Sequence, residues 1–418
     1  MLMIANLSKI YNEFPRKFWV VVGVSFIDRV GGTLLFPFFA LYITQKFSVG
    51  MTEAGLILGL FSIFGLFGSM IGGALTDRFG RRTIIIIGLV FSAVSTLTLG
   101  MVNQFATLIP LAVLIGLLSN VAGPAHDAMV ADLLSKKQRQ EGFGILRVVG
   151  NMAWIIGPTI GGFVTKKSFL ALVIIDAAVS CVVALLFFLF MPETKPMHAE
   201  IQQKAESILA TFRGYGQVLR DSAYMAFLVA GILMGLVYQQ MYNSLSVYLR
   251  DNHGIEPQGY GFLLTVSAIT VILFQFTTTR LIKHRPPFLM MALGTAFYVI
   301  GFSMFGWVSA YYLFALAIVV ITIGEMIVVP TSQALAANFA PEEMRGRYMA
   351  VFSLLWMLPA TFGPGAAGYI LDNYNPNLLW YIGGVLCAIS ALGYVLLHSR
   401  LKSQPRFAPA PAVAEVAD

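Results

Sequence analysis

Charged side chains lie inside the long apolar segments of this 418-residue chain, and four of them are the first candidates for chemistry. Asp28 and Arg29 are adjacent, Arg147 lies in a later segment, and Glu325 lies in "VVITIGEMIVVP", with no basic residue in its segment. An ionisable side chain in mid-membrane costs about 2.5–3.5 kcal/mol even on the lenient insertion scale. Carboxyl groups at such positions indicate proton exchange or binding of a charged solute. We therefore predict that Glu325 and Asp28 are the proton-coupling residues, with Glu325 carrying the exchangeable proton.

Each of these charges also has a structural interpretation. Asp28 and Arg29 could form a static ion-pair network with Arg147 that ties helices together. Asp176 and His126, which also lie in apolar segments, more simply satisfy neighbouring polar groups.

Polar and aromatic residues near these charges suggest a binding cavity. The segment "GLVYQQMYNSLSVYL" combines tyrosines with amides, and the chain holds 33 Phe and 19 Met, which suit adaptable binding surfaces. Lipid-facing Phe and core Met would explain the same composition. The predicted substrate cavity comprises Asp28, Arg29, Arg147, Tyr238, Gln239, Tyr242, Asn243 and Trp356.

Only a membrane bundle can position these residues. The chain is 58% hydrophobic and 11% charged, with mean hydropathy +0.79, whereas soluble domains carry about twice that charge. A bilayer core requires about 20 apolar residues per helix. Continuous rather than alternating runs indicate helices. We predict twelve transmembrane helices, at about 18–45, 52–75, 83–103, 106–133, 143–165, 169–191, 223–249, 259–281, 287–308, 311–337, 347–371 and 377–398.

Basic residues predict the orientation. With the N-terminus placed in the cytoplasm, 21 of the 27 Lys and Arg residues fall on the cytoplasmic side and only four on the other, while Arg29 and Arg147 lie within helices. This asymmetry accounts for the net charge of +7, and the chain offers no soluble basic module for nucleic acid. We predict a multi-pass protein of the cell (inner) membrane with both termini in the cytoplasm.

The chain contains an internal repeat. Residues 124–162 align without a gap on 330–368 at an offset of 206, and the same offset relates Tyr42 to Tyr248 and Cys181 to Cys387. We predict an all-α membrane protein of two parallel, pseudo-symmetric six-helix halves. The predicted divisions are 1–191, a cytoplasmic linker at 192–222 that forms a short surface helix, 223–400, and a disordered tail at 401–418.

Two motifs identify the chain as similar to a known family. "GGALTDRFGRR", between the second and third helices, resembles the signature loop of the major facilitator superfamily of transporters, whose members have two parallel six-helix halves. "GNMAWIIGPTIGG", in the fifth helix, resembles the motif of the drug:proton antiporter branch, although Ala153 replaces its first glycine. The residues that carry the first motif are Gly73, Asp77, Arg78, Gly80, Arg81 and Arg82, and those that carry the second are Gly157, Pro158, Gly161 and Gly162.

These motifs predict a latch between two transport states. Asp77 is expected to cap the N-terminus of the eleventh helix, and Arg81 is expected to reach Asp132 at the end of the fourth. Gly157 and Pro158 are expected to permit close packing, against the eighth helix in particular. The alternative for the first motif is a plain topology signal, which basic residues alone would satisfy.

The expected function is secondary active transport: proton-coupled efflux of amphipathic or drug-like small molecules by alternating access. A symporter or facilitator for a sugar or peptide, and a lipid or lysolipid flippase, are the alternatives. A receptor with a transporter fold would require an added cytoplasmic domain. No nucleotide-binding loop, catalytic motif or metal-ligand spacing occurs, so we predict no enzyme activity, no metal and no cofactor beyond protons as the coupling ion. The expected partners are a small-molecule substrate and the lipid bilayer, with no nucleic acid, and the chain is expected to be a monomer.

Overall fold

The computed structural model describes residues 11, 13–135, 138–194, 215–341 and 344–407, without the side chains of Asp77 and Gln140. Over these residues the chain is helical and without strands, and twelve helices are long and apolar enough to cross a membrane, as predicted. They are α1 (Arg16–Phe47), α2 (Met51–Thr76), α3 (Arg81–Met101), α4 (Phe105–Leu133), α5 (Glu141–Lys167), α6 (Phe169–Phe190), α7 (Ser222–Asn243), α8 (Pro257–Ile282), α9 (Pro287–Met304), α10 (Tyr311–Phe339), α11 (Arg345–Asn373) and α12 (Asn377–Leu401).

Several of these helices are interrupted where the sequence weakens the backbone ladder. In α1 a 3₁₀ turn, Phe36–Phe38, contains Pro37. In α4 the helix breaks between Ser119 and Ala122, because Pro124 has no N–H to donate to the carbonyl four residues earlier. A further helix, Leu245–His253, follows α7 and ends at Gly254 in the left-handed conformation.

The chain forms two compact units. The first consists of residues 1–49, 56–201 and 255–265, and the second of residues 50–55, 202–254 and 266–418. The first unit is centred on a cluster in which Phe18, Met129 and Phe187, from α1, α4 and α6, are almost completely buried. Each unit therefore contains one of the predicted six-helix halves, except that residues 50–55 at the start of α2 and 255–265 at the start of α8 belong to the other unit.

Equivalent hydrogen bonds in the two units confirm the predicted repeat. The Tyr42 hydroxyl donates to the carbonyl oxygen of Leu99 at 2.7 Å. The Tyr248 hydroxyl donates to the carbonyl oxygen of Phe305 at 2.8 Å. Donor and acceptor both shift by the offset of 206 that relates the sequences, so the halves share tertiary contacts as well as helix order.

Glycines allow one equivalent helix contact in each unit. In the first unit a Cβ on Gly162, in α5, would lie 2.9 Å from the Cα of Gln258 at the start of α8. In the second unit a Cβ on Gly368, in α11, would lie 2.5 Å from the backbone N of Thr52 at the start of α2. Both pairs follow the same offset, and neither leaves room for a side chain on the glycine.

A carboxylate caps the second of these contacts. Asp372 lies near the C-terminal end of α11, and its carboxylate accepts hydrogen bonds from the backbone N–H of Met51 at 2.9 Å and of Thr52 at 2.6 Å. The Thr52 hydroxyl also donates to it, at 2.6 Å. The corresponding place in the first unit holds an ion pair of 2.7 Å between Lys166 and Glu256. Asp372 therefore supplies an N-cap to α2 from a distant part of the chain.

We expect Asp372→Ala to lower the thermal unfolding temperature of the purified protein. Loss of an N-capping side chain typically costs about 1 kcal/mol, since two backbone N–H groups lose their acceptor. Asp372→Asn keeps one acceptor oxygen and should be less destabilised. Equal unfolding temperatures for wild type and the alanine variant, measured by differential scanning fluorimetry, would show that the cap does not stabilise the protein.

The predicted disordered tail is wrong at its start. Helix α12 continues to Leu401, and the buried Phe407 packs against Phe288 and Phe339 with ring centroids 5.2 and 4.7 Å apart. The rest of the tail and most of the linker, with its predicted surface helix, lie outside the described residues.

Candidate functional site

The first unit contains a polar cavity of about 370 Å³ among α1, α3, α4 and α6. Asp28 and Arg29 line it from α1, and both side chains reach its accessible surface. The break in α4 contributes Asn120, and the part of α4 that follows the break contributes His126. The interrupted part of α4 and the charged residues of α1 therefore line the same cavity.

Asp28 is at the centre of a titratable cluster. It lies 12 residues from the start of α1, which corresponds to about 18 Å along the helix. Its carboxylate interacts electrostatically with His126, Arg29 and Asp176. Of the two carboxylates, that of Asp176 is the less exposed. The Asp176 carboxylate accepts a hydrogen bond of 2.9 Å from Thr96. Asp176 is thus held structurally, whereas Asp28 remains accessible from the cavity.

His126 has partners on both ring nitrogens. Its Nε2 lies 2.7 Å from the Ser25 hydroxyl and its Nδ1 lies 3.6 Å from a carboxylate oxygen of Asp127. These contacts fit the structural interpretation of His126 made from the sequence.

A second cavity, of about 240 Å³, lies between α1, α4 and α5. Arg29 lines it together with Arg147, Asn151 and Trp154 of α5. Within the described residues Arg147 forms no ion pair with Asp28 or with any other carboxylate. The static ion-pair network that the sequence left open is therefore absent there.

The "GGALTDRFGRR" segment is held to the ends of α4 and α6. The Arg81 guanidinium forms the predicted ion pair with Asp132, at 3.0 Å. The backbone N–H groups of Arg81 and Arg82 donate to the carboxylate of Glu193 at 2.8 and 3.2 Å, so Glu193 caps α3. The side chain of Asp77, and with it the predicted cap on α11, lies outside the described residues.

The other residues of this motif have distinct roles. Gly80 has φ +93°, a conformation that favours glycine, and links α2 to α3. Arg82 donates to the carbonyl oxygen of Phe188 at 2.5 Å, and Arg78 lies over the Phe79 ring at 5.3 Å. A Cβ on Gly73 would meet nothing within 4 Å. Close approach therefore does not explain Gly73, although it does explain neighbouring Gly72, whose Cβ would meet the backbone of Val121.

The motif in α5 packs chiefly on α1, which corrects one prediction. A Cβ on Gly157 would lie 2.7 Å from the Cβ of Thr33 and 2.9 Å from its backbone carbon, and one on Gly161 would meet the carbonyl oxygen of Leu34. Gly157 therefore does not face α8. The predicted α8 contact is made by Gly162, and by Pro158, whose carbonyl oxygen lies against Gly261.

In the second unit Glu325 lies among tyrosines. It is 14 residues from each end of α10, and it interacts electrostatically with Tyr238, Tyr242 and Tyr298. The Tyr238 and Tyr242 hydroxyls are 3.1 Å apart. The Tyr238 ring stacks on Tyr298 with centroids 5.7 Å apart and meets Trp356 edge-on at 5.9 Å. The predicted residues Tyr238, Tyr242, Trp356 and Glu325 thus form one cluster, which we call the tyrosine cluster together with Tyr298.

The amides of α7 have a different role from the predicted one. Buried Asn243 donates its side-chain N–H to the carbonyl oxygen of Gln239 at 2.9 Å, and Gln240 donates to that of Leu236 at 2.8 Å. These bonds satisfy carbonyl groups where α7 is interrupted. The Asn243 amide therefore binds the backbone of its own helix.

Some functional candidates were missed from the sequence. Tyr298 is fully buried, and its hydroxyl has no hydrogen-bond partner among the described residues. Its only sequence signal is a polar atom in an apolar helix. Glu193 follows α6 closely, a position from which an acid can reach a neighbouring helix start. Asn151 and Trp154 share a face with Arg147 at helical spacing, which the sequence shows.

Comparison with known proteins gives a consistent family. The family model described as Major Facilitator Superfamily matches residues 21–364 and 239–416. A "Na(+), Li(+), K(+)/H(+) antiporter" of Planococcus maritimus is 27% identical, with 84% of this chain and 89% of that protein aligned. "Quinolone resistance protein NorA" of Staphylococcus aureus (strain MSSA476) is 22% identical, over 89% of this chain and 94% of that protein. The crystal structure of a POT family transporter in complex with 5-aminolevulinic acid has a similar fold, with TM-score 0.77, 17% identity, and coverage of 93% of this chain and 97% of that one.

Proposed function

Because the chain belongs to the Major Facilitator Superfamily of membrane transporters, we propose that it exports amphipathic small molecules in exchange for protons by alternating access. The observation that carries this proposal is the tyrosine cluster around Glu325. A carboxyl group in the middle of a membrane helix can accept and release a proton as its access to water changes. The aromatic rings beside it offer a surface for an apolar, partly aromatic solute.

The cavity of the first unit supports a charged binding position. Asp28 is accessible from it, and Arg29 and His126 are close enough to influence its charge. Asp28 lines an accessible cavity beside Arg29 and His126, and we therefore assign it to binding a charged group of the solute. In this proposal Asp28 binds a positively charged group of the solute, and Glu325 exchanges the proton.

The names of two relatives support different parts of this proposal. The names of the Planococcus maritimus and Staphylococcus aureus proteins describe cation–proton antiport and quinolone resistance. In keeping with such a carrier we propose a monomer in the cell membrane with both termini in the cytoplasm, divided as 1–191, 192–222 and 223–400, with protons as coupling ion and no other cofactor.

Transport by reconstituted protein tests this proposal. Proteoliposomes loaded with ethidium, a cationic aromatic dye, are given a pH gradient directed so that protons move opposite to the dye, and dye release is followed by fluorescence. We expect release that depends on the protein and stops when an ionophore collapses the gradient. Release that is unaffected by the gradient would exclude proton coupling.

Exchange of alkali cations for protons is the second candidate. It is favoured by the electrostatic interaction between the carboxylates of Asp28 and Asp176. Asp28 also lines a cavity with the hydroxyl of Ser25 and the amide of Asn120, and oxygen atoms of these kinds are ligands for hard cations. The same proteoliposomes with an internal pH dye distinguish the two. Alkalinisation of the acidic lumen on adding Na⁺, without ethidium transport, would favour this candidate over the first.

The Arg81–Asp132 ion pair is proposed to be part of the latch. We expect Arg81→Ala to reduce gradient-driven dye transport without preventing membrane insertion, because α3 and α4 lose their charged contact. Asp77→Asn should have a similar effect if Asp77 caps a neighbouring helix. The exchanged pair Arg81→Asp with Asp132→Arg should recover part of the transport. If Arg81→Ala and Asp77→Asn both transport the dye at the normal rate, the segment determines membrane topology and does not act as a latch.

A further inference from the structure

Two arginines in membrane helices line one cavity without a carboxylate partner. Arg147 lies six residues from the start of α5, which places it about 9 Å along the helix. Among the described residues neither Arg147 nor Arg29 donates a side-chain hydrogen bond or forms an ion pair. The Arg29 guanidinium has only the electrostatic influence of Asp28, on the neighbouring position of α1. Arginine inside a membrane span is costly, and such residues usually pair with other groups.

The α5 side of this cavity presents hydrogen-bond donors at helical spacing. Arg147, Gly150, Asn151 and Trp154 follow the i, i+3, i+4, i+7 pattern of one helix face. Gly150 provides the space for the second arginine, since a Cβ there would lie 3.1 Å from Nη1 of Arg29. Two guanidinium groups, an amide and an indole ring therefore line the same cavity of about 240 Å³.

The negative charge around this cavity is too small to balance the arginines. Asp127 is its only carboxylate among the described residues, and that side chain is 73% exposed, with an oxygen 3.6 Å from His126. Guanidinium groups bind carboxylate, sulfonate and phosphate groups through paired hydrogen bonds. Trp154 adds an aromatic surface, which meets Phe36 edge-on with centroids 6.3 Å apart.

We propose that Arg29 and Arg147 bind an anionic group on an aromatic or amphipathic ligand whose body packs on Trp154. This inference rests on the proposed function, because it defines the substrate class of the same transporter. Asp28 lines the adjoining cavity, so a solute that fills both cavities carries a negative group towards Arg147 and a positive group towards Asp28. The transported class then includes amphoteric amphiphiles as well as organic cations.

Binding of a matched pair of dyes tests this proposal. The anionic probe is 8-anilinonaphthalene-1-sulfonate, and the uncharged probe is N-phenyl-1-naphthylamine, which has the same aromatic body without the sulfonate. Affinities are measured by fluorescence for the full chain in phosphatidylcholine nanodiscs, with empty nanodiscs subtracted and no pH gradient. We expect Arg147→Gln to weaken binding of the sulfonate about tenfold or more, as the loss of a charge-assisted hydrogen bond implies, and to leave the uncharged dye unaffected.

Control variants separate charge from folding. Arg147→Lys keeps the charge and should retain part of the sulfonate affinity, and Arg29→Lys provides the same comparison on α1. Arg250→Gln removes an arginine that already pairs with Asp251 at 2.5 Å, and it should change neither affinity. Equal sulfonate affinity in wild type and Arg147→Gln would overturn the proposal.

Addition of phosphatidylglycerol to the nanodiscs identifies the source of the anion. If this lipid displaces the sulfonate from wild type, and loses that effect in Arg147→Gln, the arginines bind a lipid headgroup. If it does not compete, they bind a soluble anion. Because no gradient is applied, a protein that fails to couple transport to protons can still show selective sulfonate binding. Conversely, a protein without selective sulfonate binding can still show gradient-driven ethidium release, so the two proposals can fail separately.

Discussion

Replacement of Glu325 by glutamine is expected to abolish pH-gradient-driven transport while substrate still binds. Glutamine has nearly the same shape as a protonated carboxyl group but can neither take up nor release a proton. Glu325 lies midway along α10, and its carboxyl group interacts electrostatically with three tyrosines from α7 and α9. Those hydroxyls can donate to an ionised carboxylate, whereas the apolar helices around them make a permanent charge costly.

The measurement is dye release from proteoliposomes with and without a pH gradient, together with dye affinity for the same preparations. We expect Glu325→Gln to lower gradient-driven release to the level of protein-free liposomes, with affinity close to that of wild type. Full gradient-driven release by this variant would show that Asp28 or another group, and not Glu325, carries the coupled proton.

Two further variants make the result specific. Glu141→Gln is the same chemical change at an exposed position at the start of α5, and it should transport normally. Asp28→Asn should instead weaken dye binding, most strongly for cations, and should retain dependence of the remaining transport on the gradient. If Asp28→Asn abolishes coupling and Glu325→Gln only weakens binding, the two assigned roles are reversed.

Features that depend on the residues of a single segment are predicted well from the sequence. Apolar segments of sufficient length located all twelve helices, and a constant offset related Tyr42 to Tyr248, whose hydroxyls make equivalent hydrogen bonds in the two units. An acid in an apolar helix marked Glu325, and tyrosines on one turn of α7 marked the cluster that surrounds it. In each case the property lies in the composition or spacing of one segment.

Features that depend on which helices meet were less predictable. Helical periodicity shows that a residue faces a neighbour, but it does not identify the neighbour, so Gly157 was assigned to α8 and packs on α1. Asn243 has a polar side chain of the kind that lines cavities. In the structure its amide instead donates to the backbone carbonyl of Gln239, where α7 is interrupted. The Asp372 cap joins residues about 320 positions apart, and no local pattern indicates such a pair.

Substitution of Gly157 by leucine is expected to prevent accumulation of folded protein, which is the largest stability effect that the structure predicts. The space for a side chain is taken by Thr33 of α1, whose hydroxyl donates to the carbonyl oxygens of Arg29 at 2.8 Å and of Ala153 at 3.1 Å. A Cβ would approach the backbone of α1 as well as the side chain of Thr33, so rotation of one side chain cannot relieve the clash. The two helices would have to separate beside Arg29, which lines both cavities of the first unit.

A graded series on the same helix tests this steric explanation. Gly157→Ala should lower stability by about 1–3 kcal/mol, typical of overpacking, and Gly157→Leu should yield little monodisperse protein in fluorescence-detected size-exclusion chromatography. Gly144→Ala is the matched control, because a Cβ there meets nothing within 4 Å and alanine favours a helix by about 1 kcal/mol over glycine. Thr33→Gly combined with Gly157→Ala removes the opposing Cβ, and it should recover part of the lost thermal stability even though the Thr33 hydrogen bonds are lost. Normal yield and unfolding temperature for Gly157→Leu would show that α1 and α5 do not pack at this position in the folded protein.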